Sequence, residues 1–99
     1  MKKIINNKKY DTETATLIGE YWNGYGGFYC VLEKLYRKKT GEYFLYAEGG
    51  ALTEYAEYYD NGQSGASHIF PYTEKEAKNW AIKKISVDEF EALFGEVEE

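Results

Sequence analysis

Residues 28–50 read as one long β-hairpin. Apolar and aromatic side chains alternate on either side of Lys38-Lys39-Thr40-Gly41, and Gly49-Gly50 ends the second run. Alternation at period two is the pattern of a strand. A three-residue loop, Lys39-Thr40-Gly41, places Gly41 in the left-handed conformation of a bulged turn. Lys38 then faces Glu42 and Tyr36 faces Phe44, with Leu35 opposite Tyr43 or Leu45 according to register. Val31, Leu35, Tyr43 and Leu45 share one face, and Leu32, Tyr36, Phe44 and Tyr46 share the other. Both faces carry apolar groups. The hairpin therefore belongs in a sheet centre, or it leaves an aromatic face for a partner.

The flanking segments read less uniformly. Residues 2–5 and 8–10 form a short hairpin around Asn6-Asn7, because Asn tolerates positive φ. Asp11 or Thr12 caps a short helical turn. Gly19–Trp22 is read as a strand, and Asn23-Gly24-Tyr25-Gly26-Gly27 as a flexible connection. No helical pattern follows those glycines, so a phosphate-cradling loop is excluded on context. Leu52, Tyr55, Ala56 and Tyr59 have helical spacing, which predicts a short helix ended by Asp60-Asn61-Gly62. Residues 63–67 then form a loop and His68-Ile69-Phe70 a short strand.

Two capping boxes mark the C-terminal part. Thr73 with Glu76 opens a helix whose stripe is Ala77, Trp80, Ala81 and Ile85. Ser86 with Glu89 opens a second, with Val87, Phe90, Leu93 and Phe94 on one side and Gly95 suited to its C-terminal end. The expected class is α+β: a small antiparallel sheet built on a hairpin at about 28–48, with two short C-terminal helices packed on one face. Ninety-nine residues suit a single domain, 1–99.

Charge narrows the function classes. The formal net charge is −5, but residues 1–40 hold eight Lys/Arg against four Asp/Glu, and residues 41–99 hold four against thirteen. Affinity for phosphates needs positive surface, so generic nucleic-acid binding is disfavoured. An acidic face suits a basic protein groove. Eleven tyrosines serve half-buried strands and binding surfaces alike. Cys30 is the only cysteine, which excludes an intrachain disulfide. No run approaches the length of a membrane span, and no secretory leader is expected after Met1-Lys2-Lys3.

Candidate chemistry is sparse. His68 and Cys30 lie in separate predicted strands, so nothing pairs a nucleophile with a base. His68 with Glu48, Glu54, Glu57 or Asp60 is the one combination open to a metal, and its spacing carries no signal. A small hydrolase or metal protein built on His68 is thus the alternative to a binding protein. A third reading uses the basic tip Arg37-Lys38-Lys39 to contact nucleic acid. No catalytic residue, metal or cofactor is assigned.

The segments Lys9 to Ala15, Leu35 to Tyr46 and Glu48-Gly49-Gly50, with Ile69-Phe70-Pro71, Glu76-Ala77 and Trp80, resemble a group of small proteins of phages and mobile elements of Gram-positive bacteria. The resembling motifs are structural: a strand, a turn and a helix start. By size and acidity, this group is similar to anti-CRISPR proteins and other counter-defence inhibitors. The resemblance implies a non-enzymatic protein of the host bacterial cytoplasm. It would inhibit a bacterial defence protein, with a CRISPR effector nuclease as the type of partner. The expected docking residues are Glu54, Tyr55, Glu57, Tyr58, Tyr59 and Asp60, an acidic run rich in tyrosine of the kind that anchors interfaces.

Overall fold

The computed structural model describes residues 1–98. The chain is α+β, as the sequence pattern predicts. Strands β3 (Thr16–Trp22), β4 (Val31–Arg37), β5 (Tyr43–Gly49) and β8 (Ala66–Tyr72) form a four-stranded antiparallel sheet in the order β3-β4-β5-β8. Helices α1 (Glu74–Lys84) and α2 (Val87–Phe94) follow, and α1 lies across β3, β5 and β8. An N-terminal hairpin, β1 (Lys2–Ile5) with β2 (Lys8–Asp11), packs on the opposite face. A small hairpin, β6 (Glu57–Tyr59) with β7 (Gly62–Ser64), projects from the β5–β8 connection.

The central hairpin has the register its side chains dictate. Tyr36 pairs with Phe44 and Leu35 with Leu45. Lys38 donates its backbone N–H to the Glu42 carbonyl at 2.7 Å, and Gly41 closes the turn at φ 94°. Leu35, Leu45 and Ala47 point to the helices and are fully or almost fully buried against Ala77, Trp80 and Ala81. Tyr36, Phe44 and Ile69 point the other way, onto Tyr10 of the N-terminal hairpin. Tyr36 and Phe44 stack at 5.1 Å, and Tyr10 meets Phe44 edge-on at 5.6 Å. A hairpin apolar on both faces is thus covered on both faces.

Local chemistry sets the remaining elements. Asn6 and Asn7 both take positive φ, 52° and 63°, and so close β1–β2. Asp11, not Thr12, caps the next turn: its carboxylate accepts the Glu13 N–H at 2.9 Å. Both predicted capping boxes form, Thr73 with Glu76 and Ser86 with Glu89. Gly95 ends α2 at φ 95°. Strand β3 starts earlier than Gly19 because a bulge between Leu17 and Gly19 lets the pairing continue to Thr16.

Three expectations fail. The hairpin does not begin at Phe28: Gly27–Tyr29 is a 3₁₀ turn and β4 starts at Val31. Asn23 causes this. Its side-chain oxygen accepts the N–H groups of Tyr25 and Val31, both at 3.1 Å, and its amide donates to the Tyr29 carbonyl at 2.8 Å. The helix expected over Leu52–Tyr59 is also absent. Thr53 bonds back to the Gly50 carbonyl at 2.8 Å and makes a turn, and Glu57-Tyr58-Tyr59 then extends as β6. Tyr-rich sequence alternating around a two-residue turn satisfies a strand as well as a helix. The loop expected over 63–67 is also replaced: Gly62–Ser64 pairs with β6 as β7, and the strand around His68 begins at Ala66. It runs Ala66–Tyr72, because a full β5 partner satisfies its backbone groups.

Close approach of α1 depends on Gly19. A Cβ there would lie 2.9 Å from Trp80 Cζ3. Gly19→Ala is expected to lower stability by about 1–3 kcal/mol through overpacking. Gly41→Val is expected to cost about 1 kcal/mol, because a β-branched residue resists positive φ. Chemical denaturation measures both, and unchanged midpoints would contradict this packing.

Candidate functional site

Two connections meet at the end of the sheet opposite the Lys38–Gly41 turn. One is the loop from Asn23 to Cys30, and the other is the long crossover from Gly50 to Gly65. They are tied backbone to backbone: Gly50 donates to the Cys30 carbonyl and Leu52 to the Phe28 carbonyl, both at 2.9 Å. Gly50 is required there, since a Cβ would overlap the Gly27 carbonyl and the Phe28 backbone. The Gln63 side-chain amide donates to the Ala51 carbonyl and holds the small hairpin to the same end.

This end concentrates exposed aromatic surface. Trp22 at the end of β3 and Tyr25, Phe28 and Tyr29 on the first connection are 58–66% exposed, and Tyr58 and Tyr59 on the other are 70% and 61% exposed. Leu52 lies exposed beside Phe28, its N–H on the Phe28 carbonyl. The two connections contain Glu54, Glu57 and Asp60, all exposed, and no Lys or Arg. The surface is therefore acidic as well as aromatic. Scattered exposed apolar residues are ordinary, whereas this many aromatics on two adjoining loops form a patch of the kind that marks interaction sites.

The six residues singled out from sequence separate into two groups. Glu54, Glu57, Tyr58, Tyr59 and Asp60 are exposed at this end. They do not share a helix face. Glu57 and Tyr59 lie on one side of β6, where the Tyr59 hydroxyl donates to Glu57 at 3.0 Å, and Tyr58 lies on the other. Tyr55 turns inward and is half-buried against His68 and Phe70, with ring centroids at 6.1 and 6.2 Å. Trp22, Tyr25, Phe28, Tyr29 and Leu52 were not among the residues expected. Their signal was aromatic residues among glycines, where no alternating or helical pattern offers a core to enter.

Tyr55 reaches a buried carboxylate that sequence reading passed over. Glu33 is 4% exposed in the centre of β4, on the helix face. It accepts hydrogen bonds from the Tyr55 hydroxyl and from Trp80 Nε1 at 2.9 Å, and Lys84 Nζ stands 3.9 Å away. Lys84 also lies over the Tyr21 ring at 4.0 Å. Above Glu33, an open cleft of about 410 Å³ runs between α1 and Glu54-Tyr55. Burial pushes the Tyr55 hydroxyl above its ordinary range, and the hydrogen bond to Glu33 and that carboxylate's charge push the same way. Burial likewise raises Tyr72 on the cleft wall, with Glu33 adding to it.

His68 lies on the helix face opposite Ala47, and its Nε2 is 2.8 Å from the Tyr55 carbonyl. A carbonyl only accepts, so Nε2 carries the proton. Glu48 points to the other face, where the Tyr46 hydroxyl donates to it at 2.6 Å. The sheet thus separates Glu48 from His68. Among the described residues, no three His, Cys, Asp or Glu side chains gather as a metal would need. Cys30 is half-buried just before β4. No helix among the described residues is long and apolar enough to cross a membrane.

No protein-family model, curated protein or solved structure matches this chain. The geometry alone therefore carries the reading of this end.

Tyr55 gives a pH-dependent test. A hydroxyl whose folded pKa lies above the unfolded value of about 10 binds its proton more tightly in the native state. Its contribution is complete below pH ~10 and is lost as pH rises beyond it. Tyr55→Phe is expected to destabilise the protein by about 1–3 kcal/mol at neutral pH, because Glu33 loses a donor. The difference between wild type and variant should shrink above pH ~10. A difference that stays constant from neutral to alkaline pH would contradict the Tyr55–Glu33 bond.

Proposed function

We propose that this chain is a non-enzymatic binding protein that docks its acidic, aromatic end on a basic protein groove. The observation that supports this is the joining of two adjacent loops on which exposed aromatics stand with Glu54, Glu57 and Asp60, and with no Lys or Arg. Aromatic side chains supply large contact area and anchor interfaces. Acids around them raise the rate of encounter with a basic surface and suppress acidic partners. The same arrangement would repel phosphates, so this end addresses protein rather than nucleic acid.

The partner we propose is a bacterial defence nuclease, with a CRISPR effector as the type case. Grooves that hold nucleic acid are lined by Lys and Arg, which is the complement this end requires. The resemblance to small phage and mobile-element proteins supports the same choice, and it would place the protein in the host bacterial cytoplasm. Inhibition would follow from occupying the groove, with no chemical step on either side.

The test is binding kinetics against a purified candidate nuclease at two salt concentrations. Reversing Glu54, Glu57 and Asp60 to Lys should slow association at least tenfold while the unfolding midpoint barely moves, since exposed charges contribute little to stability. Trp22→Ala with Phe28→Ala should speed dissociation instead, because buried anchors govern residence time. Wild-type kinetics in both variants would remove this end from the interface.

A further inference from the structure

The opposite end of the molecule carries the reverse charge. The N-terminal hairpin brings Lys2, Lys3, Lys8 and Lys9 beside Lys38 and Lys39 of the central turn, and Arg37, the last residue of β4, stands at the same end on the helix face. Contacts across the two elements fix this: Lys8 Nζ meets Glu42 at 2.9 Å, and Lys38 Nζ sits 4.2 Å over the Tyr10 ring. Seven cations thus stand against Asp11, Glu13, Glu42 and Glu74. Glu42 binds both Lys8 and Lys38, the latter at 3.4 Å, and Asp11 lies 3.7 Å from Lys9. The hydrogen bond from Lys8 holds the Glu42 carboxyl below its ordinary range.

Lys2, Lys3, Arg37 and Lys39 remain. All four are exposed, and none forms an ion pair among the described residues. We infer that this basic end binds the phosphate backbone of duplex nucleic acid, independently of sequence. The net charge of −5 does not decide the matter. The acidic loops begin about 20 Å away, the length of the seven-residue strands between, while exposed charges are screened beyond about 8 Å at physiological salt. Arg37 lies on the helix face, over the Tyr43 ring and in a recess it shares with Glu42 and Glu74, so a duplex approaching from the side of the N-terminal hairpin meets Lys2, Lys3 and Lys39 and little of the distant acids.

The chemistry favours phosphate over bases. The large apolar side chains exposed at this end are Met1, Ile4 and Leu17, and the aromatics here are covered or half-covered. No platform for base stacking stands out, so single strands gain little and the denser charge of a duplex is preferred. The inference uses no residue of the docking end and does not rest on that reading.

The test is fluorescence anisotropy of a labelled DNA duplex of about two helical turns, titrated with the full chain at several salt concentrations. Binding should be strongest at low salt, with log affinity falling against log salt at a slope of about −3, as three neutralised phosphates require. Lys2→Glu, Lys3→Glu and Lys39→Glu together should weaken binding at least tenfold while the unfolding midpoint stays near wild type. Trp22→Ala with Phe28→Ala, which alters the docking end, should leave duplex affinity unchanged. Absence of binding at low salt, equal binding by the charge-reversed variant, or binding to vesicles of anionic lipid without binding to the duplex would each overturn the inference.

Discussion

The carboxylate of Glu33 is where sheet, helix and crossover meet. An ionised group buried in a core costs several kcal/mol unless its oxygens are satisfied. Here Tyr55 from the crossover and Trp80 from α1 supply the donors, and Lys84 stands near. Each donor comes from a different element. Satisfying the carboxylate therefore fixes where α1 crosses the sheet and where the crossover folds back. The gain is as much in position as in stability, because the apolar contacts of Leu35, Leu45 and Ala47 would tolerate small shifts of α1 that the directed bonds to Glu33 do not.

That constraint builds the acidic, aromatic end. With Tyr55 held inward, the rest of the crossover must turn outward on either side of it. Gly50 lets the returning chain lie against the Gly27–Phe28 backbone, and the bonds from Gly50 and Leu52 join the two loops. Aromatics from separate stretches of sequence are then presented together, on short loops tied at their bases. The central hairpin, seven residues in each strand, separates this acidic end from the basic one. The charge asymmetry along the sequence thus becomes partly an asymmetry in space.

The parts of the fold that depend on neighbours in sequence were legible in it. Turn residues, capping boxes and the alternation of β4 and β5 act over a few positions, so Asn6-Asn7, Gly41, Thr73 and Ser86 announce their roles. What could not be read depends on distant partners. Asn23 delays β4 by binding Val31, Thr53 turns the chain back on Gly50, and neither bond has a signature in spacing. The stretch Leu52–Tyr59 satisfies a helical pattern on paper, but Tyr55 is drawn to Glu33, twenty-two positions away, and the rest extends. Of the docking end, the acidic run was legible from composition. The aromatics of the Asn23–Cys30 loop were not, because only the sheet topology brings them beside it.

The most direct test of this account is hydrogen exchange on Glu33→Gln, resolved by residue. The amide side chain has one oxygen fewer to offer, so it cannot hold Tyr55 and Trp80 together as the carboxylate does. If Glu33 organises the docking end, the amides of Gly50, Leu52 and Ala56, which bond to Cys30, Phe28 and Thr53, should lose protection in the variant, while those of β4 and β5 stay protected. Unchanged protection at Gly50 and Leu52, or a loss spread evenly over the whole sheet, would contradict it.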